Sequence, residues 1–254
     1  MHDLPFKTYI EAWSFFRSIS NETVSIASHL VNHTNIRNHH SFVDLGSGDG
    51  ELTKNVLSFG VIIPKKLVLI DKEEKFLNAA KDSFQSVPTL KKTTFLKEDF
   101  TQIGSKVFRK FDAILAIHML YFVELEFLIK LLNKLSMEST CYIVIDKLDS
   151  LFGVCWKEMN PSYFERLSQI LEYINRLSND EYNVEKSEID SVLTNPLLLP
   201  PNKMRTILSL LFYSDDESVI AKGAEVLNIF TEGDMCQPNI PLSCYCFEIS
   251  KKQK

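Results

Sequence analysis

Residues 42–50 read Phe-Val-Asp-Leu-Gly-Ser-Gly-Asp-Gly, an apolar run that stops on three glycines in five residues. The chain has only 8 glycines in 254 residues, so three at one turn need a reason. Glycine stands inside a loop where the backbone must take positive φ, or where something has to come close to it. The residues before the turn read as a strand and those from Glu51 to Phe59 as a helix. A glycine turn between the first strand and first helix of an open α/β sheet lies at the carboxyl edge, where such sheets bind ligands.

Outward from that turn, strand and helix patterns alternate. Residues 41–45, 67–71, 93–99, 111–120 and 141–146 are strand-like runs, and 51–59, 73–84 and 125–135 carry helical patterns. Continuous apolar strands separated by helices imply a parallel sheet covered on both faces. Ahead of it, Phe6, Tyr9, Trp13, Phe16 and Ile19 recur at three- and four-residue steps, which is one aromatic face of a helix over 6–19. Ser20-Asn21 supply cap chemistry for a second helix running to about His33. Behind it, 160–177 reads as helix, 182–191 as strand, 203–231 as further helices and 242–250 as a last strand. The expected fold is a Rossmann-like, doubly wound, mostly parallel seven-stranded sheet, with one late antiparallel strand and extra N-terminal and C-terminal helices.

Composition narrows the partners. A formal net charge of −5 with 24% charged residues is the wrong sign for gripping a nucleic-acid backbone, and the terminal Lys-Lys-Gln-Lys reads as a solvated end. No nucleic-acid partner is expected. No stretch approaches the roughly 18–20 apolar residues of a membrane span, and the opening MHDLPFKTYI lacks a basic segment followed by an apolar one. The five cysteines, Cys141, Cys155, Cys236, Cys244 and Cys246, follow no disulfide-framework spacing. The expectation is a cytoplasmic, reduced protein without a membrane partner.

Two ligand classes use a glycine turn at this place. The dinucleotide fingerprint is G-x-G-x-x-G, whereas Gly46, Gly48 and Gly50 give G-x-G-x-G followed by Glu51. A pyrophosphate beside Asp44 and Asp49 would meet like charge, but a ligand carrying a sulfonium and an ammonium would not. With this charge pattern the segment resembles motif I of the class I S-adenosylmethionine-dependent methyltransferases. The resemblance implies that Gly46, Ser47, Gly48 and Gly50 approach the methionine end of S-adenosyl-L-methionine, with Asp44 near its amino group. The second strand ends at Asp71, followed by Lys72, where a carboxylate accepts two hydrogen bonds from a ribose diol. The third strand runs into Lys97-Glu98-Asp99-Phe100, so Asp99 and Phe100 match the family's adenine-contacting position.

Subfamilies separate at the fourth strand, which ends Ala116-Ile117-His118-Met119-Leu120-Tyr121-Phe122-Val123. The Asn/Asp-Pro-Pro-Tyr of DNA and protein amide methyltransferases is missing there. Asn160-Pro161-Ser162-Tyr163 looks like a relative of it but follows the fifth strand and reads as a helix start. Metal-dependent catechol-type enzymes need a carboxylate cluster, and Asp146 and Asp149 alone do not make one. No metal is expected, and a metal-independent small-molecule enzyme is left. His29 and His33, four apart near His39-His40, read as surface histidines, and Cys244 and Cys246 as core packing on one strand face.

A closer resemblance is to the histamine N-methyltransferase family. The matching residues are Tyr9, Trp13 and Phe16 on the first helix, Ser20-Asn21-Glu22 at the break, His118-Met119-Leu120-Tyr121-Phe122 after strand four, and Phe152 and Trp156 after strand five. The resemblance implies a substrate site of Tyr9, Trp13, Phe16, Glu22, Phe122 and Trp156. It implies a catalytic set of His118, Glu22 and Tyr121, with His118 also beside the cofactor. Departures fall on substrate positions: the family's glutamine is His118, a tyrosine is Phe122, and its late asparagine has no counterpart near Leu242-Ser243. They bear on which amine is accepted and leave the reaction type standing.

The expected organisation is a helical cap over the active site at 1–38, an S-adenosylmethionine-binding core at 39–150, and a 151–254 segment completing the sheet and the substrate pocket. The expected activity is methyl transfer to a nitrogen of a small amine or imidazole by in-line displacement, in a monomer. A protein or peptide methyltransferase docking its substrate on the 150–231 helices is the alternative enzyme. A non-catalytic scaffold would be signalled by loss of the motif I glycines or Asp71, and all are present.

Overall fold

Runs of branched and aromatic side chains set the strands of this chain. A computed structural model describes residues 6–90, 92–103, 108–177, 181–212, 216–231 and 238–252; Cys236 and the side chain of Phe6 lie outside the described residues. In chain order the elements are α1 (Phe6–Ile19), α2 (Glu22–His33), β1 (Ser41–Leu45), α3 (Glu51–Gly60), β2 (Lys66–Asp71), α4 (Glu74–Gln85), β3 (Thr94–Lys97), β4 (Ala113–Ile117), α5 (Leu125–Asn133), β5 (Thr140–Asp146), α6 (Leu151–Met159), α7 (Pro161–Arg176), β6 (Tyr182–Thr194), α8 (Pro201–Phe212), α9 (Glu217–Phe230) and β7 (Asn239–Lys251).

The strand order is β3-β2-β1-β4-β5-β7-β6. β1 pairs in parallel with β2 and β4, placing Val43 between Val68 and Ile114, and β2–β3 and β4–β5 are parallel too. Every residue of β4 and β5 is buried, without alternation, because both faces are covered. The outermost strand β6 instead mixes buried with exposed positions, and β3 has only half-buried and exposed ones. β7 runs against its neighbours. Lys147, just past β5, donates to Ser243 near the start of β7, while Lys252 donates to Glu181 and Asn195 to Pro238 at opposite ends of β6 and β7.

By contact density the chain forms two units. The first comprises Met1–Ser25, Asp146–Leu167 and Ile189–Cys244, and the second Ile26–Ile145, Ser168–Glu188 and Tyr245–Lys254. Within the first, α8 packs against α1, α6 and α9. Within the second, the strand order reverses between β1 and β4. That makes their carboxyl ends the switch point at which open sheets leave a crevice.

Several boundaries differ from the sequence expectation, β6 and β7 among them, which run longer than the expected 182–191 and 242–250. The fourth strand, expected over 111–120, spans 113–117, because His118 turns to φ +50° and ends it. Its N–H still donates to Val144 O at 2.9 Å. The third strand is trimmed to 94–97. The helix expected from 160 begins at Pro161, and a separate helix, α6, precedes it, because a residue before proline is pushed out of the helical region.

Among the described residues, His118 and Val61 alone combine a side chain with positive φ. Val61 closes α3 at φ +53°, where glycine is the usual residue, and it is 84% exposed. A β-branched residue in that conformation costs ~1–2 kcal/mol, and an exposed side chain has little packing to return. Val61→Gly is therefore expected to raise stability by about 1 kcal/mol after the unfolded-state entropy of glycine is counted. Chemical denaturation checks this, and an unchanged or lower midpoint would contradict it.

Candidate active site

The glycine turn explains itself in the structure. Gly46, Gly48 and Gly50 take φ +66°, +55° and +70°, all in the left-handed region. A Cβ on Gly50 would lie 2.6 Å from Leu69 Cδ2 and 2.9 Å from Phe84 Cε2, so α3 starts only where β2 and α4 leave room for bare backbone. A Cβ on Gly46 would stand 3.1 Å from Met119 Cβ, which shows how closely the loop after β1 approaches the one after β4. At Gly48 a Cβ would meet nothing within 4 Å, so this stretch of backbone borders open space.

Asp71, the last residue of β2, fastens that loop. Its Oδ2 accepts from the Gly48 N–H at 2.9 Å and its Oδ1 from the Glu73 N–H at 2.8 Å, while the Ser47 N–H donates to Ile70 O at 3.0 Å. Each carboxylate oxygen keeps a further acceptor site. Burial raises the Asp71 pKa against the opposing pull of the Glu73 and Gly48 amides. Asp44 is buried at the end of β1, where Thr53 Oγ1 donates to its Oδ2 at 2.5 Å. Burial pushes its carboxyl up to about 7, and neighbouring Asp71 adds to the rise. Ser47 Oγ is buried with no hydrogen-bond partner among the described residues. Two acids reluctant to ionise and one orphaned hydroxyl surround a backbone with open space beside it. These groups fit a ligand carrying positive charge and hydrogen-bonding groups.

Lys72 and Asp99 are exposed, and Phe100 is half-buried. Asp99 Oδ1 accepts from the Thr101 N–H and hydroxyl at 2.9 and 2.6 Å, which fixes the turn after β3. Phe100 packs edge-to-face on Phe127 at 5.4 Å. At the switch point, the half-buried His118 ring lies 6.4 Å from that of buried Tyr121, which packs at 5.0 Å on Phe122.

The first unit holds a continuous aromatic row. Tyr9 stacks on Trp13 at 6.4 Å and Trp13 on Phe16 at 5.4 Å; Phe16 meets Phe152 edge-on at 5.6 Å, Phe152 lies 5.6 Å from Trp156, and Trp156 lies 5.9 Å from Tyr163. Tyr9 and Trp13 are half-buried, whereas Phe16 has no exposed surface and is part of the core. Glu22 is 4% exposed at the first position of α2, where a carboxylate also favours the helix dipole.

The structure thus gathers Asp44, Gly46, Ser47, Gly48, Gly50 and Asp71 around one loop, with Met119 against it. The roles of three residues escaped the sequence reading. Thr53 holds Asp44 from nine residues away, Met119 closes on Gly46, and Tyr163 extends the aromatic row. Only Thr53 left a signal, a polar residue on the buried face of α3. His29 Nε2 is 2.7 Å from Ser187 Oγ, with the His33 ring 4.8 Å away, and Cys244 and Cys246 are buried.

Comparison with known proteins supports this architecture. Residues 43–136 match the family model described as Methyltransferase domain. Among solved structures, the plantazolicin methyltransferase BpumL, in complex with a monoazolic desmethylPZN analog and SAH, is similar at TM-score 0.53 and 18% identity, covering 95% of this chain and 90% of that one. The methyltransferase domain of bacterial CtHen1-C gives 0.51 and 11%, over 91% and 98%. Precorrin-6y C5,15-methyltransferase from Geobacter metallireducens GS-15 gives 0.50 and 10%, over 91% and 88%. No curated protein matches the chain. The α/β fold is that of the methyltransferases.

Two measurements test the loop. Gly48→Ala is expected to cost ~1–2 kcal/mol of stability for its left-handed backbone alone. Gly50→Ala is expected to cost measurably more, because its Cβ also enters Leu69 and Phe84; equal costs would refute the packing account. Between about pH 4 and 7 the folded chain holds a proton on Asp44 that the unfolded chain has lost. This group's contribution to stability is therefore present below pH 4 and lost as pH rises through 7. Asp44→Asn is expected to flatten that fall in a pH series of unfolding midpoints.

Proposed function

We propose that this chain, whose residues 43–136 match a methyltransferase domain, transfers the methyl group of S-adenosyl-L-methionine to a nitrogen of a small amine or imidazole compound. The observation that carries the reading is the Gly46–Gly50 loop. Three left-handed glycines, buried Asp44 and Asp71 and an unpaired buried Ser47 hydroxyl make a cradle for a cationic ligand at the sheet's switch point. Asp44 is assigned to the amino group, Ser47 Oγ and the loop backbone to the methionine end, Asp71 with Lys72 to the ribose, and Asp99 with Phe100 to the adenine.

The donor supplies an electrophilic methyl on a sulfonium. A neutral acceptor nitrogen forms the new N–C bond as the S–C bond breaks, leaving S-adenosylhomocysteine, and the acceptor then loses a proton. Alignment and exclusion of water can supply ~7–11 kcal/mol of such a barrier, so no strong base is needed. His118, held at positive φ at the end of β4, is assigned to orient the acceptor and receive its proton, with Tyr121 against it. On the acceptor side, Tyr9, Trp13, Phe16 and Trp156 offer π-faces suited to a flat or cationic molecule, with Phe122 as a further contact. Glu22, buried at the start of α2, is assigned to an ammonium or N–H. Histamine is the first acceptor to try, given the resemblance at Tyr9, Trp13, Phe16, Glu22 and the residues after β4.

A second reading takes a peptide bearing aromatic rings as acceptor. The row from Tyr9 to Tyr163 spans six rings, more than one small amine covers. No helix among the described residues is long and apolar enough to cross a membrane, and we place the enzyme in the cytoplasm as a monomer.

Mass spectrometry of product formed from histamine, or other small amines, with S-adenosylmethionine tests the reaction. One added methyl supports it; cofactor binding with no amine methylated moves the acceptor to peptides. Glu22→Gln is expected to raise the acceptor KM about tenfold, one charged hydrogen bond, with cofactor affinity unchanged. Equal effects on both would remove the anchor role. An ammonium beside Asp44 favours its ionised form, so cofactor binding should release a proton below pH 7 and tighten as pH rises toward 7. Calorimetry in buffers of different ionisation enthalpy reads that proton.

A further inference from the structure

α1 ends at Ile19 and α2 begins at Glu22, so two residues carry the whole turn between the aromatic row and the buried carboxylate. Both reach the end of β6. Ser20 forms an antiparallel bridge with Leu193. Asn21 donates its N–H to Val192 O at 3.2 Å, and its side-chain Oδ1 accepts the Val192 N–H at 2.8 Å. In an ordinary strand pair the second bond would go to the backbone carbonyl. Here that carbonyl is engaged elsewhere: Asn21 O accepts from the Ser25 N–H at 2.9 Å and opens α2. One residue therefore ends a strand pairing with its side chain while its own carbonyl starts a helix.

We propose that Asn21 is a positioning residue for the acceptor site: its side-chain amide, standing in for a backbone carbonyl, clamps the α1–α2 turn to β6 and so fixes the direction in which Glu22 is presented. The inference rests on the acceptor-anchoring role given to Glu22 above. The pairing itself is independent of that role. Val192 is 40% exposed and Asn21 faces solvent, so the clamp has no packing around it to act as a substitute. Leu193, its neighbour, is fully buried and sets the register. Residue type matters here. Alanine removes the acceptor, whereas aspartate keeps an oxygen at the same reach.

The test compares Asn21→Ala with Asn21→Asp in the full chain. The first readout, hydrogen exchange at the Val192 amide, needs no acceptor: protection is expected to fall about tenfold in Asn21→Ala, one hydrogen bond's worth, and to be retained in Asn21→Asp. The second is steady-state kinetics with whichever small amine is methylated. Asn21→Ala is expected to raise the acceptor KM about tenfold, with S-adenosylhomocysteine affinity unchanged, and Asn21→Asp to restore KM to within about threefold. Unchanged Val192 protection in Asn21→Ala overturns the clamp. Lost protection with an unchanged acceptor KM, or an Asn21→Asp variant as impaired as Asn21→Ala, overturns the positioning role. If Glu22→Gln raises KM while Asn21→Ala does not, the proposal falls and the anchor reading stands. If no amine is methylated, that reading falls and takes the positioning role with it.

Discussion

The hydrogen bond from the Gly48 amide to the Asp71 carboxylate is the constraint around which the second unit's ligand edge is built. It joins the loop after β1 to the end of β2, and the Ser47 amide to Ile70 carbonyl bond makes a second stitch beside it. A loop held at two points by β2 has to double back before α3, which forces left-handed backbone at three places. Asp71 can serve as both fastener and ligand group because a carboxylate has more acceptor sites than the two amides use.

That arrangement has an electrostatic cost that the fold does not relieve. Asp44 and Asp71 are both buried and burial raises the pKa of each, with Asp71 adding to the rise at Asp44 and Glu73 to that at Asp71. Among the described residues, Thr53 gives Asp44 one hydrogen bond, a neutral donor set against full burial. Acids whose pKa is perturbed by burial at a ligand-bearing sheet edge are candidates for contact with a ligand. Cationic charge is what would relax both groups at once. The same logic would make the affinity for a cationic ligand and the stability of the unliganded protein respond to pH in opposite directions below neutrality.

How far the sequence could be read depended on the range of the interaction. The central strands were legible because residues covered on both faces are apolar without interruption, a local property of β1, β2 and β5. The end of β4 was read too far: Met119 and Leu120 are apolar and buried, yet they lie beyond a backbone reversal at His118 that hydrophobic pattern does not encode. The aromatic row was half legible. Tyr9, Trp13 and Phe16 follow helical spacing on α1, but the contact from Phe16 to Phe152 and the step to Tyr163 join segments more than a hundred residues apart or across a proline break.

By itself the sequence determined the alternation of strands and helices from β1 to β5, the glycine turn and the acids at the ends of β1 and β2, because periodicity and backbone freedom are local properties. Tertiary structure alone decided what those residues do to one another. It placed β7 between β5 and β6, brought Met119 against Gly46, and spent Asp71 on the Gly48 amide. It also gave Asn21 two tasks, since its cap position predicted a helix start and nothing in its neighbours predicted Val192. Pairings between distant segments depend on how many surfaces are buried together, and no single stretch of chain carries that information.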